Sequence, residues 1–142
     1  MNTLPERRSQ IAALETMIRE LPDAITEFSP QTEHYFSHGV YGRRFYMPKG
    51  QVVVGKIHKY SCVNVLAVGS VVVTSSTDDV PPGTLIEPGT VWVSLPGTKR
   101  AVFALEDSVW VTSHPNPDNI TDVALLENEL ICKDYEALEA PK

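Results

Sequence analysis

The chain has 142 residues, a length typical of one domain that buries a core of its own. Its formal net charge of −6 argues against nucleic-acid binding, because proteins that neutralise phosphates usually carry a basic excess or a basic stripe. No segment approaches the roughly 20 consecutive apolar residues that span a bilayer, and the first residues lack the apolar core of a signal peptide. We therefore expect a protein that is neither secreted nor transmembrane and that binds neither membranes nor nucleic acids.

Residues 3–21 carry the signals of a helix. Thr3 and Glu6 have the spacing of a capping box, and Pro5 falls in the first turn, where a missing N–H costs little. Apolar residues then recur at steps of three and four along one face until Pro22 breaks the pattern. They are Ile11, Leu14, Ile18 and Leu21. This apolar stripe packs either on the sheet of its own domain or against another subunit.

Short β-rich segments follow, separated by glycine- and proline-rich turns at spacings of roughly ten residues. This pattern predicts an antiparallel sandwich or barrel, and it leaves no room for the helices that a parallel α/β fold needs between its strands. The predicted strands cover residues 43–47, 51–57, 62–68, 70–75, 84–86, 90–95, 100–105 and 108–112.

A second helix is predicted after the last strand, because Val123, Leu126 and Leu130 form another apolar stripe. Three polar residues before it are suited to the N-cap: Asp118, Asn119 and Thr121. The predicted organisation is an N-terminal helix and linker (1–30), a β-barrel (31–117), and a C-terminal helix with a tail (118–142).

The segment around His58 combines β-branched residues with an unusual set of polar side chains. Four polar residues occupy alternate positions: His58, Tyr60, Cys62 and Asn64. Because strand side chains alternate between faces, one continuous strand would point all four the same way. An imidazole, a phenol, a thiol and an amide on one face suit a metal site, a polar ligand cavity or a hydrogen-bonded barrel interior.

Two glycine-flanked motifs resemble those of the cupin superfamily, whose pattern is G…HxH…E…G followed by G…PxG…H. The first motif is matched by Gly50, His58, Tyr60, Asn64 and Gly69, and the second by Gly89, Pro96, Gly97 and Arg100. Further segments resemble small cupin-like proteins encoded by tailed bacteriophages and prophages, namely residues 47–50, 55–59, 96–100, 105–110 and 114–115. The resemblance covers residues 32–130 and implies a small cupin-like jelly-roll barrel that forms a homo-oligomer.

The resemblance also implies where a metal would sit. Enzymatic cupins typically bind a divalent metal through two histidines and a glutamate of the first motif and a histidine of the second. Only His58 remains here, because the other three positions hold Tyr60, Asn64 and Arg100. Arginine has no free lone pair and stays protonated, so it cannot ligate a metal. We therefore predict that the standard metal site is absent and expect no cofactor.

A relocated site for Zn²⁺ or Fe²⁺ would use His58, Cys62 and His114, since imidazole and thiolate suit both ions. Residues four apart on a strand are separated by roughly 13 Å, which is too far for His58 and Cys62 to bind one ion unless a bulge shortens the strand. Cys62 and Cys132 lack CxxC spacing, and this pattern suits reduced thiols in a reducing compartment.

Other residues have alternative interpretations. We interpret His34 and His38 as loop histidines, one of them packed against the barrel mouth, and Trp92 and Trp110 as core or subunit-interface aromatics rather than stacking surfaces for a ligand. Four basic residues either form an anion-binding barrel mouth or pair with Glu87, Glu106 or Asp107. They are Arg43, Arg44, Lys99 and Arg100.

The sequence favours a non-catalytic phage-encoded cupin that acts as a structural or accessory virion component or binds a small ligand. Candidate ligand-binding residues are His58, Tyr60, Cys62, Asn64, Arg100 and His114. The expected partners are further copies of the chain and other phage structural proteins, in the virion or the host cytoplasm. Two alternatives remain: a metal-dependent cupin enzyme of the dioxygenase or isomerase type, and a binder that sequesters a small anionic metabolite or signal.

Overall fold

A computed structural model describes residues 3–21, 29–132 and 134–135 of the chain. In chain order the elements are α1 (Leu4–Glu20), a 3₁₀ turn (Ser29–Gln31), β1 (Thr32–Ser37), β2 (Gly39–Met47), β3 (Val52–Val54), β4 (Ile57–His58), β5 (Cys62–Val68), β6 (Val71–Ser75), β7 (Thr84–Ile86), β8 (Val91–Ser94), β9 (Arg100–Ala104), β10 (Ser108–Asn116), α2 (Val123–Leu130) and β11 (Ile131–Cys132).

The strands form two antiparallel sheets and one short ribbon. The larger sheet has the order β1-β2-β10-β5-β8, the smaller sheet has the order β3-β9-β6-β7, and β4 pairs with β11. Neighbours that are distant in sequence, such as β2 and β10, show that the chain crosses between sheets rather than running as a simple meander. The predicted mainly β, antiparallel fold with a helix near each end is confirmed.

The core lies between the two sheets, where side chains at alternate strand positions point inward. In β6, for example, Val71, Val73 and Ser75 are buried, whereas Val72 and Thr74 are half-buried. Full burial of each valine or leucine contributes about 1.5–3 kcal/mol. The main buried cluster comprises Met47, Val53, Leu66, Val71, Val73, Val80, Ile86, Val102, Ala104 and Trp110. Trp92 packs against this cluster, so the core interpretation of both tryptophans is confirmed.

Strand β1 was not predicted, and it forms a hairpin with β2 that turns at His38 and Gly39. Gly39 has a φ of +73°, a conformation that glycine adopts without steric cost. Because β1 is an edge strand and most of its side chains are exposed, it lacks the apolar alternation that marks a half-buried strand. The loop interpretation is therefore wrong for His34, which lies in β1, whereas His38 lies in the turn.

Helix α1 has the predicted capping box: the Glu6 N–H donates to Thr3 Oγ1 and the Thr3 N–H donates to Glu6 Oε2, both at 3.2 Å. Ile11 of the predicted stripe is buried, whereas Leu21 at its end is exposed, and Pro22 lies outside the described residues. Part of the stripe thus packs on the chain's own barrel. Neither helix of the described residues is long and apolar enough to cross a bilayer.

Helix α2 begins later than its predicted caps suggest, because Asp122 is the N-cap and accepts from the Leu125 N–H at 3.2 Å. The preceding residues are held in a turn: Asn116 accepts from the Ile120 N–H and donates to the Ile120 carbonyl, and Asn119 has a φ of +52°. Leu126 and Leu130 then pack with Tyr41 in a second buried cluster.

A buried arginine attaches α1 to the barrel. The Arg7 guanidinium donates to the carbonyls of Ser75 (3.4 Å) and Thr77 (3.2 Å) and to the carboxylate of Asp78 (2.5 Å). Arg7 is only 5% exposed, whereas the Asp78 side chain is 72% exposed, so the pairing with Asp78 is screened by water. The contacts to the two carbonyls therefore carry most of the attachment.

We expect Arg7→Leu to lower the free energy of unfolding by about 2 kcal/mol, because it leaves the carbonyl acceptors without their charged donor. Urea denaturation measures the loss, and hydrogen exchange should show faster exchange of α1 amides. Arg19→Ala is the matched control, since Arg19 lies on the same helix, is 67% exposed and contacts Glu15 at 3.8 Å. Equal effects of the two substitutions would contradict the attachment.

Candidate functional site

The predicted strand is interrupted between β4 and β5, and this interruption separates the polar residues around His58. β4 leaves the sheets to pair with β11, while residues 59–61 connect it to β5. The His58 N–H donates to the Thr98 carbonyl (3.1 Å), and the His58 carbonyl accepts from the Gly97 N–H (2.7 Å). The prediction of one shared strand face is therefore wrong: Tyr60 is 44% exposed, whereas Cys62 and Asn64 are buried.

Asn64 forms the centre of a buried hydrogen-bonded network at one end of the interior. Its Nδ2 donates to Ser94 Oγ (2.7 Å) and to the Trp92 carbonyl (3.4 Å), and its Oδ1 accepts from Trp110 Nε1 (3.1 Å). The Cys62 thiol lies 3.6 Å from Ser94 Oγ. Because the amide of Asn64 is satisfied by protein groups, it has little capacity left for a ligand.

Arg100 points into the interior and joins this network. Its guanidinium donates to Ser94 Oγ and to Asp79 Oδ2 (3.1 Å), and its Cζ lies 5.5 Å from the centroid of the Trp110 ring. The side chains of Arg100 and Asp79 are 10% and 0% exposed, so this is a buried ion pair. Its positive charge is therefore neutralised inside the protein.

The predicted salt-bridge partners of the basic residues are wrong. Arg100 pairs with Asp79, Lys99 pairs with Glu15 of α1 (2.8 Å), and Arg44 pairs with Glu33 of β1 (3.2 Å). The predicted partners Glu87, Glu106 and Asp107 take part in none of these pairs. These partners are brought together by sheet and helix packing, which the sequence spacing does not reveal.

His58 and His114 stack face to face in the barrel interior. Their ring centroids are 5.2 Å apart and their planes are inclined by 8°. His114 Nε2 lies 2.9 Å from Thr112 Oγ1. The His114 ring also stacks with Tyr41, and their ring centroids are 5.8 Å apart. The Tyr41 hydroxyl lies 2.5 Å from His34 Nδ1. Three of the chain's four histidines thus meet in one aromatic cluster.

Both stacked imidazoles favour the neutral form. Burial, together with the smaller effects of His114, Arg100 and Arg43, lowers the pKa of His58 from 6.5 to about 3. Burial likewise lowers the pKa of His114 to about 4, assisted by Arg43 and Arg100. His58 Nδ1 is buried and has no hydrogen-bond partner, so it is available to a ligand.

A cavity of about 550 Å³ opens beside this cluster. Apolar side chains from both sheets form its floor, and the polar groups of His34, His58 and Thr112 lie on its wall. Residues of both helices, among them Glu15 of α1 and Ala124 of α2, line its mouth. The floor is made by Phe45, Met47, Val53, Val102 and Trp110, and the basic residues of the lining are Arg19, Arg43, Lys56 and Arg100.

The residues at the cupin metal positions do not fit a metal ion. Tyr60 points outward, the amide of Asn64 is satisfied internally, and Arg100 places a guanidinium in the interior. Within the described part of the chain, no group of three or more His, Cys, Asp or Glu is placed to hold an ion.

The relocated set is not assembled either. The Cys62 thiol belongs to the Asn64 and Ser94 network, whereas the rings of His58 and His114 are stacked. Imidazole lone pairs lie in the ring plane, so nearly parallel stacked rings do not direct two of them at one point. Of the six candidate ligand-binding residues, His58 and Arg100 line the cavity. His58 Nδ1 and Arg100 Nε both lack a hydrogen-bond partner, but the Arg100 guanidinium is paired with Asp79 through Nη2.

Sequence reasoning assigned no role near the cavity to Tyr41 and Thr112, and it placed His34 in a loop. All three lie at inward-facing positions of β1, β2 or β10. His34 and Tyr41 fall outside the predicted strands, whereas Thr112 ends the predicted strand 108–112, where alternation from Trp110 would have identified it. In the register, His34 and Thr112 are the neighbours of Arg43 on either side, which places a basic residue between two polar ones on the cavity wall.

The sequence matches no protein-family model, and no curated protein matches it. Solved structures show a clear likeness in fold. Salicylate 1,2-dioxygenase from Pseudoaminobacter salicylatoxidans superposes with a TM-score of 0.54 and 12% identity, over 79% of this chain and 33% of that one. Oxalate decarboxylase from Lactobacillus farciminis superposes with a TM-score of 0.53 and 19% identity, over 78% and 33%. A cupin-2 domain-containing protein from Shewanella frigidimarina is also similar, with a TM-score of 0.46 and 10% identity over 59% and 80%. At these identities the likeness shows a cupin-like fold and carries no activity over.

The stacked histidines make stability depend on pH. Above pH 6.5 the imidazoles of His58 and His114 are mostly neutral in the folded and the unfolded protein. Below pH 6.5 they take up protons in the unfolded protein, whereas in the folded protein they do so only near their lowered pKa values. We expect the free energy of unfolding to decrease as the pH is lowered from 6.5 to 4. The substitution His58→Gln should make this decrease smaller by about 1.4 kcal/mol per pH unit. Urea denaturation at several pH values measures both.

His38→Gln is the control for this experiment, because His38 is exposed in the β1–β2 turn. Its pH profile should superpose on that of the unsubstituted protein. An unchanged profile in His58→Gln would show that the imidazole is not held neutral by burial.

Proposed function

We propose that this protein is a non-catalytic cupin that binds a small ligand in the cavity of its barrel. The observation that carries the proposal is the cavity of about 550 Å³, whose wall presents the buried, unpartnered Nδ1 of His58 above an apolar floor. Small-molecule sites in proteins usually have volumes of about 300–1,000 Å³ and combine an apolar lining with a few directed polar groups. The cavity of this protein falls within that range, and residues of both sheets line it.

The chemistry of the interior supports a binding role rather than metal-dependent catalysis. At an effective dielectric near 20, an unpaired guanidinium about 5 Å from a divalent ion costs roughly 6–7 kcal/mol, and a carboxylate partner offsets part of that cost. Arg100 is buried at the position where the resemblance places a metal-binding histidine. Its charge is compensated by Asp79, which adds no ligand because that carboxylate is itself engaged. The alternative of a metal-dependent dioxygenase or isomerase therefore rests on His58 alone.

A second candidate is a structural or accessory role in a virion, as a homo-oligomer that contacts further phage proteins. It is favoured by exposed valines on the outer face of the larger sheet, where Val63 pairs with Val93 and Val65 with Val91. Val63, Val91 and Val93 are 41%, 61% and 57% exposed. Contiguous exposed apolar surface often marks a protein interface. The resemblance to phage-encoded cupin-like proteins points the same way.

Ligand entry can be tested at the cavity mouth. We expect Ala124→Trp to abolish the thermal stabilisation produced by any small molecule found in a screen, because Ala124 is exposed and lines the cavity. Leu125→Trp is the matched control, since Leu125 is the next residue of α2, is 58% exposed and does not line the cavity. Differential scanning fluorimetry provides the measurement. Ligands that stabilise both variants equally would place binding elsewhere.

Native mass spectrometry of untagged protein, purified without chelator or immobilised metal, tests metal content and assembly in one spectrum. We expect subunits without stoichiometric Zn or Fe, because the interior lacks a converging donor set. One metal per subunit that is lost in His58→Ala would overturn the non-catalytic proposal and favour the enzyme. A monomer at micromolar concentration would contradict the homo-oligomeric structural role.

A further inference from the structure

Among the charged residues that line the cavity, Arg43 is the one whose presence the contacts within the protein do not explain. It lies on the inner face of β2, between His34 of β1 and Thr112 of β10 in the sheet register. It lies outside both cupin motifs, and it lines the cavity. Its Nε is buried and has no hydrogen-bond partner. A buried charged donor without an acceptor is costly, so its presence calls for an acceptor that the protein itself does not provide.

Three other basic residues of the barrel have carboxylate partners, whereas Arg43 has none among the described residues. Arg100 is neutralised by Asp79, Lys99 by Glu15, and the neighbouring Arg44 by Glu33 on the outer face. The anion-binding role that the sequence suggested for Arg100 is thus filled by a protein carboxylate. The inward guanidinium that remains available is that of Arg43.

The charge of the cavity reverses that of the whole protein. Its lining holds four basic side chains and two carboxylates, although the chain has a formal net charge of −6. Of the two carboxylates, Glu15 is paired with Lys99 and contacts Arg19, so Glu127 of α2 is the one that remains at the mouth. Arg43 and the exposed Lys56 therefore face the cavity with a local excess of positive charge.

From this geometry we infer that the ligand is a small organic anion, whose carboxylate or phosphate is bound by the Arg43 guanidinium while its apolar body lies on the floor of the cavity. The inference rests on the proposed binding function and specifies its ligand class. A guanidinium binds either anion through two parallel N–H donors. His58 Nδ1 offers a further hydrogen bond, and Phe45, Val102 and Trp110 provide the apolar contact.

The test uses matched probes and isothermal titration calorimetry on the full chain. Hexanoate and hexyl phosphate carry the two anionic groups, and hexanamide is the neutral analogue of hexanoate with nearly the same shape. We expect at least one anion to bind about tenfold or more tightly than hexanamide, with affinity that decreases as salt increases. The tighter of the two anions identifies the preferred head group.

Arg43→Gln should weaken anion binding about tenfold or more, and Arg43→Lys should restore part of it because the charge returns without the planar fork. Arg44→Gln is the control, since Arg44 is the adjacent residue, points outward and pairs with Glu33. Equal binding of hexanamide and hexanoate, unaffected by Arg43→Gln, would overturn the anion inference and leave the binding function standing. Failure of all three probes, together with a screen in which no molecule stabilises the protein, would overturn both.

Discussion

The buried pair of Arg100 and Asp79 is the constraint around which the interior of this protein is arranged. Two charges removed from water are tolerated when they are paired and most of their hydrogen-bonding groups are satisfied. Here the guanidinium donates to Asp79 and Ser94 and lies beside the ring of Trp110, while Arg100 Nε has no partner. Asn64 connects Ser94 to Trp110, so one network joins four strands of both sheets.

This network also decides what the rest of the cavity can do. Burial lowers the pKa of both His58 and His114, and the charges of Arg100 and Arg43 act in the same direction, so the stacked imidazoles favour the neutral form. Neutral imidazoles can donate or accept hydrogen bonds, but here they do not converge as metal ligands. The positive charge that faces the cavity therefore comes from arginine and lysine side chains, which suits the recognition of an anion.

The two helices complete the cavity rather than merely flanking the barrel. α1 is held by the buried Arg7, by the ion pair between Glu15 and Lys99, and by the burial of Ile11 from its apolar stripe. α2 packs through Leu126 and Leu130 onto Tyr41, the residue that ends the aromatic stack. Elements that the sequence marks only as amphipathic helices thus contribute to the mouth of the site.

The sequence by itself determined the parts of the structure that depend on local pattern. The β-rich segments between glycine- and proline-rich turns predicted β5 and β7 at their observed bounds, and the capping box predicted the start of α1. The tertiary structure decided where those residues point. The break after β4 turns Tyr60 outward and separates His58 from Cys62, because β4 pairs with β11, more than 70 residues later. The tertiary structure also pairs Arg100 with Asp79 and leaves Arg43 without a carboxylate partner in the described part of the chain. Which arginine is paired depends on contacts between residues far apart in sequence, and local sequence patterns do not reveal such contacts.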